Sequence, residues 1–94
     1  MDTKKSSLFR LGNVVITPAL LRVFNTEMID PADFLSRHQS GDFGDLCSND
    51  IDANQHAIHH ETRILSCYHQ GKTKFWIITE ADRSSTTMLL PDEY

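Results

Sequence analysis

After Thr62 the hydrophobic period of the chain changes, and that change limits the folds open to it. Thr62 to His69 alternates, with Ile64, Ser66 and Tyr68 on one side and Arg63, Leu65, Cys67 and His69 on the other. A period of two belongs to a strand, whose successive side chains point to opposite faces. Gln70-Gly71-Lys72 supplies a hairpin turn containing Gly. Lys74 to Thr79 is apolar on both faces (Phe75, Trp76, Ile77, Ile78), which suits a central strand covered on both sides. Glu80 to Ser84 makes another turn, Ser85 to Leu90 a third strand, and Pro91 stops it. The last third of the chain is therefore expected to be a three-stranded antiparallel meander.

Before Thr62 the signals are helical. Leu8 to Ile16 ends in Val14-Val15-Ile16 and suits a short strand. Thr17-Pro18 pairs a capping hydroxyl with Pro at the first helical position, and Leu20, Leu21, Val23 and Phe24 give a broad apolar face ending near Asn25. Asp30-Pro31 repeats the signal, Phe34, Leu35 and His38 share a face, and Gly41 is placed to terminate the helix. Ser48 is read as the cap of a third helix over 49–59, in which Asn54 is a polar group on the stripe of Ile51 and Ile58. The expectation is an α+β fold: a short N-terminal strand and helices packed on a C-terminal three-stranded antiparallel meander. Residues 1–7 read as a flexible tail and 8–94 as a single α+β domain.

The chain has 94 residues, 39% of them apolar and 23% charged. This is too balanced for disorder and too poor in Cys for a disulfide scaffold. No apolar run is long enough for a transmembrane helix, and the basic N-terminal residues lack the apolar core of a signal peptide. Cys47 and Cys67 form no CxxC pair and read as small hydrophobes, their pairing undecided. The expected location is cytoplasmic. The net charge of −4 conceals an asymmetry. Residues 27–61 hold eight acids (Glu27, Asp30, Asp33, Asp42, Asp45, Asp50, Asp52, Glu61) against Arg37 alone, whereas residues 1–26 hold one acid and four bases. An acidic middle argues against phosphate binding there. It is either a solvated face or a surface that docks a basic partner or imitates the charge of nucleic acid, with Asp42, Asp45, Asp50 and Asp52 as partner-binding candidates.

Three constellations bear on chemistry. Arg63, Thr79, Arg83 and Thr86 fall on neighbouring strands and the second turn, an arrangement suited to anion binding or to an internal hydrogen-bonded network. His38 lies close in sequence to Asp42 and Asp45, and a carboxylate that orients an imidazole makes a general acid or base. The alternative is a helix-terminal His bonded to the last carbonyls. His56 and His60 have metal-clamping spacing near Asp52, His59 and His69, but no Cys pair completes a set. The expectation is no metal and no cofactor.

Phe34-Leu35-Ser36-Arg37-His38, Gly41-Asp42-Phe43-Gly44-Asp45, Arg63-Ile64-Leu65-Ser66 with Tyr68, and Trp76-Ile77-Ile78-Thr79-Glu80-Ala81-Asp82-Arg83-Ser84 followed by Thr86, Thr87, Leu89, Leu90, Pro91 and Tyr94 carry a resemblance. Together they resemble a family of small bacterial proteins of plasmids and other mobile elements. That resemblance implies a bacterial cytoplasmic protein and supplies no activity. The C-terminal pattern is also similar to the sheet of barnase-like microbial ribonucleases, which need no metal. That similarity implies Arg63 as a phosphate-binding Arg and leaves Glu61 an unaligned base. Arg83 stands where that family places its histidine acid, with His38 as the candidate substitute.

Two functions follow as expectations. One is a mobile-element accessory protein that binds a host or defence-system protein through its acidic surface. The other is a metal-independent ribonuclease-like or other phosphate-handling enzyme with His38, Glu61, Arg63 and Arg83 as catalytic candidates. Nucleic acid is a partner only under the second, no membrane is involved under either, and a sheet edge carrying Thr and Ser is open to pairing with a second copy.

Overall fold

The computed structural model describes residues 7–46 and 48–94. Its elements are β1 (Asn13–Ile16), α1 (Pro18–Glu27), α2 (Pro31–Gln39), α3 (Ser48–His60), β2 (Ile64–Gln70), β3 (Thr73–Thr79), β4 (Ser85–Leu89) and a 3-10 turn (Pro91–Glu93). The architecture is α+β. Both Pro-initiated helices start as the local chemistry dictates: Thr17 Oγ1 accepts the Leu20 N–H at 3.4 Å and Asp30 Oδ1 accepts the Ala32 N–H at 2.9 Å. Each is followed by Pro at a position whose missing N–H has no intrahelical role. Ser48 opens α3 rather than preceding it. Cys47, and with it the question of a disulfide, lies outside the described residues, as do residues 1–6 of the expected tail; Cys67 is a buried free thiol.

The sheet has four strands in the order β1-β4-β3-β2. β2, β3 and β4 form the expected antiparallel meander, and β1 joins β4 in parallel, Val14 beside Thr86 and Ile16 beside Met88. β4, the strand rich in Thr and Ser, is therefore internal, and the expectation that it offers an open edge is corrected. Periodicity located β1 but not its neighbour. Gly12 permits the union, because its φ of +65° and the close approach of the Ser84 carbonyl leave no room for a Cβ.

One face of the sheet carries the core. Ile64, Ser66 and Tyr68 of β2 align with Thr79, Ile77 and Phe75 of β3, and Thr79 and Ile77 with Thr86 and Met88 of β4. Leu20 and Phe24 of α1 and Phe34 of α2 pack on this face, with Phe24 and Phe34 each set edge-on to Phe75 at about 5 Å. Truncating one such aromatic to Ala costs about 3–5 kcal/mol. A second cluster joins Phe9, Phe43 and Ala57 to Ile64 at the other end of the sheet.

The two outer strands are finished differently. On β2, Asn54 of α3 accepts the Leu65 N–H at 3.0 Å and donates to the Leu65 carbonyl at 2.6 Å, so its carboxamide acts as one residue of a further strand. The Cys67 N–H donates to Phe43 O at 3.1 Å and its carbonyl accepts the Asp45 N–H at 2.7 Å. Gly44 sits between these two bonds, where a Cβ would meet the Cys67 carbonyl. The polar residue on the apolar stripe of α3 is thus a cap on a sheet edge.

Candidate functional site

The residues proposed from sequence fall into three separate places. The first is inside. His38 is fully buried, with Nδ1 2.5 Å from Ser66 Oγ and Nε2 2.9 Å from Thr79 Oγ1. Thr79 Oγ1 lies 2.8 Å from Thr86 Oγ1, which donates to the Leu11 carbonyl at 2.8 Å. The carbonyl at the end of this chain only accepts, so every proton is assigned in turn. Thr86 spends its proton on Leu11, Thr79 donates to Thr86, His38 Nε2–H donates to Thr79, and the Ser66 hydroxyl donates to His38 Nδ1. The imidazole is the neutral Nε2–H tautomer, and burial pushes its pKa down to about 3.

Asp42 and Asp45 do not orient His38. Asp42 instead accepts from Arg37 Nε at 2.7 Å, and Asp45 pairs with His69. The rings against His38 are Phe9, edge-on at 5.1 Å, and Phe43 at 6.4 Å.

Arg83 occupies the second place. Its backbone is left-handed, at φ +62°, and its side chain is buried. Nη1 donates to the carbonyls of Thr62, Glu80 and Ala81 at 2.7–3.1 Å, and Nη2 to that of Ala57 at 2.7 Å. Ala57 belongs to the last turn of α3, where a cation is favoured by the helix dipole. The guanidinium thus ties the end of α3 to the turn before β4, the internal-network alternative for this residue. Asp82 shapes the same turn by accepting the Ser84 N–H at 3.0 Å, and its hydrogen bonds to Ser84 hold its pKa below the usual range. Phe9 touches both Arg83, at 5.8 Å from its ring centre, and His38, so an apolar ring lies against each group.

Arg63 is on the surface. It donates to Tyr94 Oη at 2.6 Å and to Glu80 Oε1 at 3.4 Å. Glu61 is exposed at the left-handed end of α3. Thr79 and Thr86 meet each other and His38 but not Arg63, because Thr79 pairs with Ile64 and strand alternation turns the adjacent Arg63 to the opposite face. Among the described residues no buried side-chain polar atom lacks a hydrogen-bond partner. His56 and His60 stack at 3.8 Å, and no group of three or more potential metal ligands forms among the described residues.

A fourth place was not singled out residue by residue from sequence. A groove of about 240 Å³ opens where α1 passes into α2 and is lined by Glu27, Met28, Ile29, Asp30, Asp33, Phe34, Arg37 and Gln70. Met28 ends α1 in a left-handed conformation, at φ 57°, and its side chain is 90% exposed. Glu27 accepts from Thr73 Oγ1 at 3.1 Å, joining the groove to the β2–β3 hairpin. The Arg37 guanidinium lies 4.7 Å over the Tyr68 ring and holds Asp42, whose hydrogen bond raises the Arg37 pKa. Tyr68 Oη donates to the Asp42 carbonyl at 2.6 Å, and burial raises its pKa to about 12. Glu27, Asp30 and Asp33 thus line the groove beside Arg37, Asp42 pairs with Arg37, and Asp45 pairs with the exposed His69. Asp50 and Asp52 stand apart on the exposed first turns of α3.

No family model, no curated protein and no solved structure matches this chain. No helix among the described residues is long and apolar enough to cross a membrane.

Proposed function

We propose that the protein acts by binding, docking a basic segment of a partner protein on the acidic surface that runs from the α1–α2 groove to Asp45. The observation that carries this reading is the groove itself: Glu27, Asp30 and Asp33 line it with Phe34 and Met28, against a single cation, Arg37. A lysine or arginine with apolar neighbours matches such a surface in charge and in shape. In this reading the partner is a host or defence-system protein, as the resemblance to mobile-element proteins implies. Asp42 and Asp45 belong to this surface through Arg37 and His69, and Asp50 and Asp52 extend the field that steers a basic partner toward it.

The nuclease reading asks His38 for a proton that must reach a substrate. Its Nδ1 and Nε2 are held by Ser66 and Thr79 behind Phe9 and Phe43, and Arg83 is committed to four carbonyls. The binding reading needs no such rearrangement.

A single NMR titration with an Arg-rich peptide tests the proposal. Amide shifts concentrated at Glu27–Arg37 and Gln70, weakened by salt and lost in Asp33→Lys, are the expected result. Shifts spread evenly over the acidic residues, or none, overturn it. Wild-type protein that cleaves RNA in EDTA, with His38→Ala inactive and folded, supports the enzyme instead.

A further inference from the structure

We propose that β1 is a self-recognition edge, and that two copies of the chain join antiparallel through Val14, Val15 and Ile16 into one continuous eight-stranded sheet. The inference stands apart from the acidic surface. The sheet has two edges, and the chain treats them unequally. Along β2 the backbone of Leu65 and Cys67 is closed by Asn54 and by residues 43–45. Along β1 the Asn13 N–H donates to Ser84 O and the Thr17 N–H to Met88 O, both at 3.0 Å. Strand alternation then turns the N–H and C=O groups of Val14 and Ile16 away from β4, and no backbone partner for them exists among the described residues.

The side chains agree. Val14 and Val15 lie on opposite faces of the sheet, and they are 42% and 50% exposed. The strand is short, but it carries neither Lys nor Pro nor a bulge to guard its edge.

The occupant follows from the symmetry of these groups. In an antiparallel two-fold pairing with Val15 opposite Val15 of the second copy, Val14 faces Ile16 of that copy. The two Val14–Ile16 pairs then exchange four N–H···O bonds. The same register sets the exposed Asn13 carboxamide opposite Thr17, whose hydroxyl donates to Glu93 at 2.7 Å, so a donor meets a carboxylate at each end of the seam. A four-residue strand buries far less than the roughly 1,000 Å² of a stable interface, so the dimer forms and dissociates with concentration.

Sedimentation velocity across a dilution series tests this. The wild type should shift from monomer to dimer as concentration rises to about 1 mM. Val14→Pro removes an N–H that β4 does not use, so it should stay folded and monomeric. Val15→Lys keeps the backbone intact and sets two ammonium groups face to face, and it should be monomeric too. Opposed residues at such a position have Cα atoms about 4.5 Å apart, within disulfide range. Val15→Cys combined with Cys47→Ser should therefore cross-link in near-quantitative yield on oxidation. A wild type that remains monomeric at about 1 mM, or a Val15→Lys dimer of wild-type strength, overturns the proposal.

Discussion

Arg83 and Arg37 carry the same guanidinium, and their surroundings use it in opposite ways. Arg83 is buried, has no carboxylate partner among its hydrogen bonds, and spends its donors on four backbone carbonyls. Arg37 is 40% exposed, pairs with Asp42, lies over Tyr68, and looks into a groove lined by further carboxylates. The first arginine is a structural cross-link between α3 and the turn before β4. The second neutralises part of an acidic surface and leaves the remainder facing solvent. The contrast teaches that a cation's role is set by which oxygens reach it first. Carbonyls gathered at a helix end and a turn draw a guanidinium inward, whereas exposed carboxylates in water hold it only weakly.

The largest effect expected from breaking this contrast is at Arg83. Arg83→Met should cost about 3–5 kcal/mol in urea unfolding, because four carbonyls lose a charged donor at once. Arg83→Lys should recover only part of that, since one ammonium cannot span Thr62 and Ala57 as the planar fork does. A loss under 1 kcal/mol for Arg83→Met would mean that water replaces the guanidinium and that the site is wetter than its burial indicates.

Next comes the buried histidine. Its folded pKa of about 3 lies below the unfolded value of 6.5, so below pH 6.5 the unfolded chain binds a proton that the folded chain does not. Stability therefore falls with acid through this window, by up to about 1.4 kcal/mol per pH unit, and is indifferent to His38 above it. His38→Gln, which still both donates and accepts, should remove that slope. The measurement is the difference between the wild-type and variant unfolding free energies from pH 7 to 4. A constant difference would show that His38 titrates alike in both states.

Asn54→Leu sharpens the comparison of the two sheet edges. It deprives Leu65 of both its partners and should cost about 2 kcal/mol, with faster amide exchange at Leu65. The smallest effect belongs to Arg37. Arg37→Gln should change stability by at most about 1 kcal/mol, the range of an exposed ion pair with one ring contact. The same change should strengthen binding of an Arg-rich peptide, because it removes the only cation among the described residues that line the groove.

Much of the architecture was legible from local chemistry. Thr17-Pro18 and Asp30-Pro31 mark helix starts that the structure reproduces, and the alternation from Thr62 assigns Ile64, Ser66 and Tyr68 to one buried face. These are local rules, set by side-chain direction, a missing N–H and a capping oxygen, and they operate before any distant contact forms. The sites were less legible. Arg63 and Arg83 differ by twenty positions and read alike in sequence, yet strand alternation sends one to the surface while a left-handed turn drives the other inside. His38 looked like a partner for Asp42 or Asp45, and the hydroxyls that hold it come from β2 and β3. Its sequence signals were the polar Ser66 between Ile64 and Tyr68 and its own place on the helix face of Phe34 and Leu35.

What the amino-acid sequence determined by itself is the order of the helices and strands, most of their boundaries to within a few residues (the first strand begins at Asn13 rather than Leu8), and the charge of the middle segment. Each depends on neighbours within about one helical turn or one hairpin. Only the tertiary structure decided that β1 lies parallel to β4, which edge Asn54 closes, and where each arginine finds its oxygens. Those outcomes depend on backbone groups brought together from distant positions. A carbonyl carries no mark in the sequence of whether it will need a donor, and packing alone supplies that information.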